Sequence, residues 1–367
     1  MIRIAIVGTG GIARVHAKAL ASFTADETAD LVAATDVDAV SLAAFAGEFG
    51  IRRTYPSLEN LLGGERADLV HVCTPPGTHL ALARACLAAG ASVLVEKPPV
   101  VSLREFDQLA RAQGRGGGPP WFATVFQHRF GAGQRRLKAL AARPAVLGRP
   151  LLAICHTTWF RDQGYFDVPW RGRWETEGGG PTMGHGIHQM DMLLDVLGEW
   201  THVSAVARTQ ARSIQTEDVS LAHVTFASGA VASVVNSVVS PREESYLRFD
   251  FEHATVEVTH LYGYGDGDWR VTPAQGRQDV LGAWEHATDA AGPGTGARSG
   301  HAGQFRAVLD ALSAGTSLPV AAHDARRTMS LVAAIYASAF TGLPVTPADL
   351  APGTPFYHSM NGGSIRA

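Results

Sequence analysis

The chain is short of cysteine, of net charge and of long apolar runs, and each scarcity closes off a class of protein. Its 367 residues include three cysteines, Cys73, Cys86 and Cys155. They are too few and too irregularly spaced for a disulfide framework or a thiolate metal site, and the odd count suits reduced, intracellular thiols. A formal net charge of −3 gives no electrostatic footprint for nucleic acid or an anionic membrane, so neither is expected as a partner. No apolar stretch reaches bilayer-spanning length. The nearest, around Leu331 to Phe340, carries Tyr336 and Ser338 and reads as a buried helix. The first strand pattern starts at residue 3, which is expected to leave no room for a secretory signal. Internal repeats are absent. A soluble, cytoplasmic protein of about two domains is expected.

What is present is most concentrated at the start, in Arg3-Ile4-Ala5-Ile6-Val7-Gly8-Thr9-Gly10-Gly11-Ile12-Ala13. An apolar strand runs into a glycine turn and then a helix. Gly8 permits the tight turn, Gly10 clears space for a pyrophosphate, and Ala13 lets helix and sheet approach. Gly11 and Ile12 open the helix, whose free N–H groups and positive dipole favour phosphate. A glycine turn alone is a weak sign. It is strengthened by Asp36, ~20 residues on at the end of a second apolar strand, where a carboxylate accepts from ribose hydroxyls. Val37 and Asp38 supply no cation for a 2′-phosphate, so NAD is favoured over NADP; the plainer reading of Asp36 is a helix N-cap.

Strand and helix patterns alternate through the first third, with strands near 3–7, 31–35, 69–73, 92–95 and 121–126. Helical patterns fall at about 11–22, 38–49, 78–89 and 102–113, the last opening with Ser102 and Glu105 in capping-box spacing. Alternation of this kind predicts a parallel sheet with crossover helices. The Gly-Pro-rich run from Gln113 to Pro120 reads as a loop inside that domain, and Ala290–Gly303 as a mobile loop. After residue 130 the texture changes to β-branched strands at 151–159, 202–209, 221–226, 230–239, 247–251 and 255–259. A helix at 186–197 interrupts them, and two more follow at about 301–314 and 323–341. The expected architecture is an α/β Rossmann domain over 1–127 and an α+β domain over 128–367 with a large open, mostly antiparallel sheet.

Ligands of open α/β sheets bind beyond the carboxyl ends of the strands. There the third strand ends in Cys73-Thr74-Pro75-Pro76-Gly77-Thr78-His79 and the fourth in Val95-Glu96-Lys97-Pro98-Pro99. A lysine fixed by proline at that edge is poorly explained as a solvated charge. Its ammonium suits a substrate oxygen, with Glu96 pairing with it or holding its orientation. In the second half, positions 184, 188, 191 and 195 recur at helical spacing after a glycine run, which puts His188 one turn into a helix. Asp191 is placed to orient it or to pair with a neighbouring base. Between His156 and Trp174 lie Trp159, Arg161, Tyr165, Phe166, Trp170, Arg171 and Arg173; aromatic faces with forked cations suit a polyhydroxylated or carboxylated ligand, or equally a core or subunit contact. Arg129, after the fifth strand, is a candidate for substrate contact or for an ion pair between domains. His156, His185 and His188 lack a thiolate or carboxylate to complete a zinc set, so no metal is expected.

Together these segments resemble the glucose–fructose oxidoreductase / inositol dehydrogenase / rhizopine catabolism (Gfo/Idh/MocA) family. The resemblance rests on the opening fingerprint, Cys73-Thr74-Pro75-Pro76 with His79, Glu96-Lys97-Pro98, Trp170-Arg171-Gly172, Gly178-Gly179-Gly180, and Met183-Gly184-His185-Gly186-Ile187-His188-Gln189-Met190-Asp191. His301…Phe305 and Ala334-Ile335-Tyr336-Ala337-Ser338-Ala339 extend it over nearly the whole chain. It implies hydride transfer between NAD(P) and a hydroxyl carbon of a sugar, cyclitol or related polyol, with Lys97 and His188 catalytic and a cis Lys97–Pro98 bond. It also implies cofactor contacts from Thr74, Pro75, His79 and Glu96, with Trp170 and Arg171 toward the nicotinamide. Substrate contacts are expected from Arg129, His156, Tyr165, His185 and His188. The open sheet face implies a homodimer or homotetramer. One position departs: inositol-dehydrogenase-like members carry an aspartate, or some an asparagine, where this chain has Gly184. His185, His156 or the substrate itself are the candidates for that missing group, and inositol dehydrogenase proper is disfavoured. An NAD-dependent redox-neutral glycosidase and a non-enzymatic NAD-dependent regulator stay open as alternatives. The ending Phe356-Tyr357-His358-Ser359-Met360-Asn361 is expected to fold over a cleft or a neighbouring subunit.

Overall fold

A computed structural model of the chain describes residues 1–114, 116, 118–287 and 298–363. It contains two compact units: Met1–Val100 with Glu105–Val125 and His301–Ala325, and Val101–Arg104 with Phe126–Gly300 and Arg326–Ala367.

The first unit is built on six parallel strands, β1 (Ile2–Val7), β2 (Ala29–Thr35), β3 (Arg53–Tyr55), β4 (Leu69–Val72), β5 (Ser92–Val95) and β6 (Phe122–Thr124). Their order is β3-β2-β1-β4-β5-β6. Ile4, Ala5, Ile6, Val70, Val93 and Leu94 are fully buried, as strands covered on both faces must be. The crossovers are α1 (Gly11–Ala25), α2 (Ala39–Phe49), α3 (Leu58–Gly64), α4 (His79–Ala88) and α5 (Leu103–Ala110). The order reverses between β1 and β4, the switch point at which the sheet leaves a crevice beyond its carboxyl ends. Of this sheet's strands, the three-residue β3 went unread, because Arg53-Thr54-Tyr55 is an edge with no apolar pattern.

The second unit carries seven strands: β7 (Pro150–Phe160), β8 (Trp200–Arg208), β9 (Val219–Phe226), β10 (Val231–Ser237), β11 (Val239–Phe251), β12 (Ala254–His260) and β13 (Trp269–Pro273). They are ordered β13-β12-β11-β7-β10-β9-β8, antiparallel except for β10 beside β7. Alternating burial in β9 and β10 marks one covered and one open face. Its helices are α6 (Ala132–Ala141), α7 (Pro144–Leu147), α8 (Pro181–Gly184), α9 (Ile187–Leu197) and α10 (Asp279–His286). Ile187, Met190, Leu193 and Leu194 are fully buried, and α9 lies against β7 and β11.

The observed division differs from a single boundary after residue 127. The chain first passes to the second unit's main segment after Val125 and then returns, with α11 (His301–Ala314), to the first. Phe305, Val308 and Leu309 of α11, with Leu318, join the core formed by Leu20 and Phe23 of α1, and that apolar burial fixes α11 there. After it come α12 (Ala322–Thr341) and α13 (Pro355–His358). Residues 290–297 of the expected mobile loop lie outside the described residues, and its last three residues already belong to α11. Among the described residues no helix is long and apolar enough to cross a membrane.

Candidate active site

The first unit supplies a dinucleotide cradle. Gly8 has φ +88°, and a Cβ there would sit 2.9 Å from the Cys73 carbonyl oxygen and from Thr74 Cγ2, so only glycine fits. At Gly10 and Gly11 an added Cβ would meet nothing within 4 Å; backbone and space are both open to a pyrophosphate over the start of α1. Asp36 closes the turn: its Oδ2 accepts from the Thr9 backbone N–H at 2.7 Å and the Thr9 hydroxyl at 2.8 Å. The helix N-cap is Asp38, which accepts from the N–H groups of Val40 and Ser41. Beside Asp36 lies a cavity of about 300 Å³ walled by Val37, Leu42, Ala43, Tyr55 and Pro56, with the size and apolarity of an adenosine site. Its lining includes no lysine or arginine. Arg53 is held by Glu65 at 2.8 Å, and Arg14 by Glu48 at 2.9 Å and the Thr9 carbonyl at 2.7 Å. These residues fit NAD.

Thr74, Pro75 and His79 follow β4. His79 is fully buried, its ring nitrogens 2.7 Å from the Thr74 carbonyl and 3.0 Å from the Pro98 carbonyl. It ties the loops after β4 and β5 together from behind, and burial lowers its pKa. Lys97 follows β5, half-buried, with a cis bond to Pro98. Glu96 turns inward. Its Oε2 accepts the Lys97 backbone N–H at 3.0 Å, while its Oε1 lies 2.9 Å from His16 Nε2 and 3.5 Å from His301 Nε2. Burial alone would push this carboxyl up, but the two imidazole contacts outweigh it and hold Glu96 well below the usual carboxylate range. His16 is itself lowered, burial outweighing Glu96. Its Nδ1 meets His71 Nδ1 at 3.0 Å and Cys73 Sγ at 3.4 Å. A neutral His16 that donates through Nε2 to Glu96 and accepts through Nδ1 from His71 fits this arrangement. Among the described residues, His16, Glu96 and His301 are also the set whose metal-ligand-type atoms come within 4.8 Å of one another; the hydrogen bonds account for that approach. The set went unread because α1, β5 and α11 are far apart in the chain.

The second unit holds a cluster of histidines. His188 stands in the first turn of α9, nearly buried, its ring edge-on to Phe126 (6.4 Å between centroids) and His128 (5.1 Å). His128 meets His260 at 5.2 Å, and His260 Nε2 meets Gln189 Nε2 at 2.8 Å. Burial pulls His260 down to about 4, so it is neutral at physiological pH. Arg129 and Asp191 are engaged with each other. The guanidinium donates to both Asp191 oxygens at 2.6 and 2.7 Å and to Asp195 at 3.1 Å, and Thr328 donates to Asp191 at 2.9 Å. Asp191 therefore braces α9.

The aromatic region forms a second cluster. The Arg171 guanidinium lies 3.6 Å over the Tyr165 ring and 4.8 Å from that of Trp170; Arg161 lies 4.9 Å over Trp159 and is paired with Glu243 at 2.8 Å. Tyr165 Oη is 3.5 Å from His185 Nε2, and the His185 ring is edge-on to Trp159 at 5.2 Å. His156 stands apart on β7, facing Tyr246 at 6.2 Å, its pKa lowered by burial. Trp174 packs on Tyr336 and Phe340. The glycine run is explained by packing: a Cβ on Gly180 would lie 1.9 Å from the Glu217 carbonyl oxygen, and one on Gly186 1.7 Å from Asn236 Oδ1. Sequence reasoning missed Glu217, whose carboxylate accepts from the N–H groups of Gly180 and Thr182 at 3.0 Å each and starts α8.

A Rossmann cradle joined to a histidine-bearing open-sheet domain defines an NAD-binding oxidoreductase, and comparison with known proteins gives its family. Residues 2–117 match the model of an oxidoreductase family with an NAD-binding Rossmann fold, and residues 135–257 match the Gfo/Idh/MocA C-terminal domain. The chain belongs to the Gfo/Idh/MocA family and is an NAD(P)-dependent oxidoreductase of CH–OH groups. It is 25% identical to D-apiose dehydrogenase of Paraburkholderia graminis, over 99% of this chain and 94% of that one. It is 27% identical to D-glucoside 3-dehydrogenase of Escherichia coli, over 73% and 80%. The WlbA dehydrogenase of Bordetella pertussis, solved with NADH and UDP-GlcNAcA, superposes with a TM-score of 0.81 at 26% identity, covering 94% of this chain and 97% of that one.

Proposed function

We propose that the protein transfers hydride between NAD(H) and a hydroxyl carbon of a sugar, cyclitol or related polyol derivative, Lys97 and His188 acting on the substrate oxygen. The observation that carries this reading is the His16–Glu96–His301 set, in which Glu96 accepts the backbone N–H of Lys97 at the end of β5. Bound NAD supplies the hydride acceptor. In the oxidising direction His188 takes the hydroxyl proton as the C–H bond gives up its hydride, and the Lys97 ammonium stabilises the developing oxyanion. Arg171, Tyr165, Trp159 and His185 present the stacking faces and polar edges that suit a polyhydroxylated ring. The relatives named for apiose and glucoside oxidation support that class. The test is NADH formation by the purified protein with NAD and pooled sugars, cyclitols and sugar acids. Turnover on some member is expected; its absence from every pool, with NAD bound, overturns the reading.

NAD is the preferred cofactor in this proposal, because Asp36 faces the adenosine cavity and Arg53 and Arg14 are already paired. Titration is expected to show NADP binding at least about tenfold more weakly, the equivalent of one lost charge-assisted hydrogen bond. Equal affinities would remove Asp36 as the discriminating group.

The same reading makes the protein a cytoplasmic homodimer or homotetramer. On the open sheet face Val206 lies opposite Leu221 and Val231 opposite Leu152, all 39–50% exposed. Exposed apolar pairs of this kind are what a second copy covers. Light scattering is expected to give more than one chain for the native protein and a single chain for the Leu221→Glu/Val231→Glu protein; a monomeric native protein ends this proposal.

A further inference from the structure

We propose that Glu177 is the positioning carboxylate of the His188 turn, lodged where a side chain on Gly184 would stand. The inference rests on the reading above, in which His188 exchanges the substrate proton. Glu177 is nearly buried and held at both ends. Its backbone N–H donates to the Arg173 carbonyl at 3.0 Å, and its Oε2 accepts the Gly172 N–H at 2.6 Å. Its Oε1 lies 3.5 Å from the position a Cβ on Gly184 would take.

Gly184 is not required by its backbone. Its φ lies outside the left-handed region, unlike those of Gly172 (+67°) and Gly178 (+81°) nearby. The atom a Cβ would meet is the carboxylate oxygen, at ordinary contact distance. A side chain at 184 that extends toward this oxygen competes with the Glu177 carboxylate for the same space. A glycine that the main chain does not need is explained if it keeps that space for the carboxylate.

The place matters because Gly184 stands four residues before His188. His185 (φ −120°, ψ −56°) and Gly186 (φ −65°, ψ −20°) carry the chain from α8 to α9 without reversing it. Gly184 closes α8 and His188 lies in the first turn of α9, with only that two-residue corner between the two helices. Glu177 also faces Arg171, whose guanidinium is lowered by burial with Glu177 opposing the shift; Arg171 in turn covers Tyr165, the neighbour of His185. A carboxylate here favours the protonated imidazole that forms when His188 accepts the hydroxyl proton, and releases it when the proton is returned. No bond to Glu177 itself is made or broken.

Glu177→Gln keeps the acceptor for Gly172 and removes the charge. It is expected to lower kcat roughly 10- to 100-fold, with KM for NAD and the melting temperature unchanged. Glu177→Ala is expected to lose at least as much. Adding Gly184→Asp to it puts a carboxylate back from the other side and should recover at least about tenfold of the lost kcat. A purely structural Glu177 predicts no such rescue. Wild-type kcat in a folded Glu177→Gln protein, or a folded Glu177→Ala/Gly184→Asp protein no faster than Glu177→Ala, overturns the proposal. Native protein without turnover on any substrate instead counts against the functional reading on which it rests.

Discussion

Lys97→Met protein is expected to bind NAD, to melt as the native protein does, and to turn over about 10²- to 10⁴-fold more slowly. Methionine keeps an unbranched apolar stem and removes the ammonium. The position of the main chain at residue 97 does not depend on that ammonium. It is set by Glu96, which accepts the residue 97 N–H and is itself held by His16 and His301. His79 adds a second tie through the Pro98 carbonyl. The substitution thus isolates the chemistry from the scaffold. Single-turnover NADH formation measures the chemical step, and NADH fluorescence measures cofactor binding. A variant within tenfold of native kcat would take Lys97 out of the reaction. A variant that fails to bind NAD would mean that its side chain serves the cofactor instead.

The parts of this site that were legible in the sequence are those whose chemistry is local. The Gly8–Gly10–Gly11 turn, the Lys97–Pro98 corner and the helix bearing His188 each declare themselves within a dozen residues, because turn geometry and helical period act at that range, and Asp36 follows from its spacing to that turn. The illegible parts are pairings across the chain. Nothing in Arg129 or Asp191 alone distinguishes a substrate contact from a partner 62 residues away. His301 reads as the start of a helix, yet its partner is at the end of β5. Glu177 lies in a run of charged and glycine residues that looks like solvated loop; its burial follows from where Gly172 and Gly184 bring the main chain. The return of α11 to the first unit was hidden for the same reason. The apolar face of α11 is visible as a period, but which sheet it covers is decided by Leu20 and Phe23 on α1.

Arg129→Met is expected to be the most destabilising single substitution proposed for this protein, costing about 3–5 kcal/mol and lowering the melting temperature by on the order of 10 °C. Arg129 and Asp191 are both buried, and their two-point contact is the main compensation for taking the carboxylate out of water. Asp195 retains Lys138 at 2.6 Å and Gln134 at 3.2 Å, whereas Asp191 keeps the Thr328 hydroxyl. The loss therefore falls on Asp191, whose pKa burial already raises against the attraction of Arg129. A carboxyl raised in the folded state is least tolerated when ionised. The deficit should be largest at neutral pH and shrink as acid protonates Asp191. Asp191→Asn added to Arg129→Met removes the stranded charge and should recover part of the loss. Thermal melts of the single and double variants at pH 5 and pH 7.5 measure all of this. If Arg129 instead contacts substrate, its replacement raises KM at unchanged melting temperature, and the double variant shows no recovery.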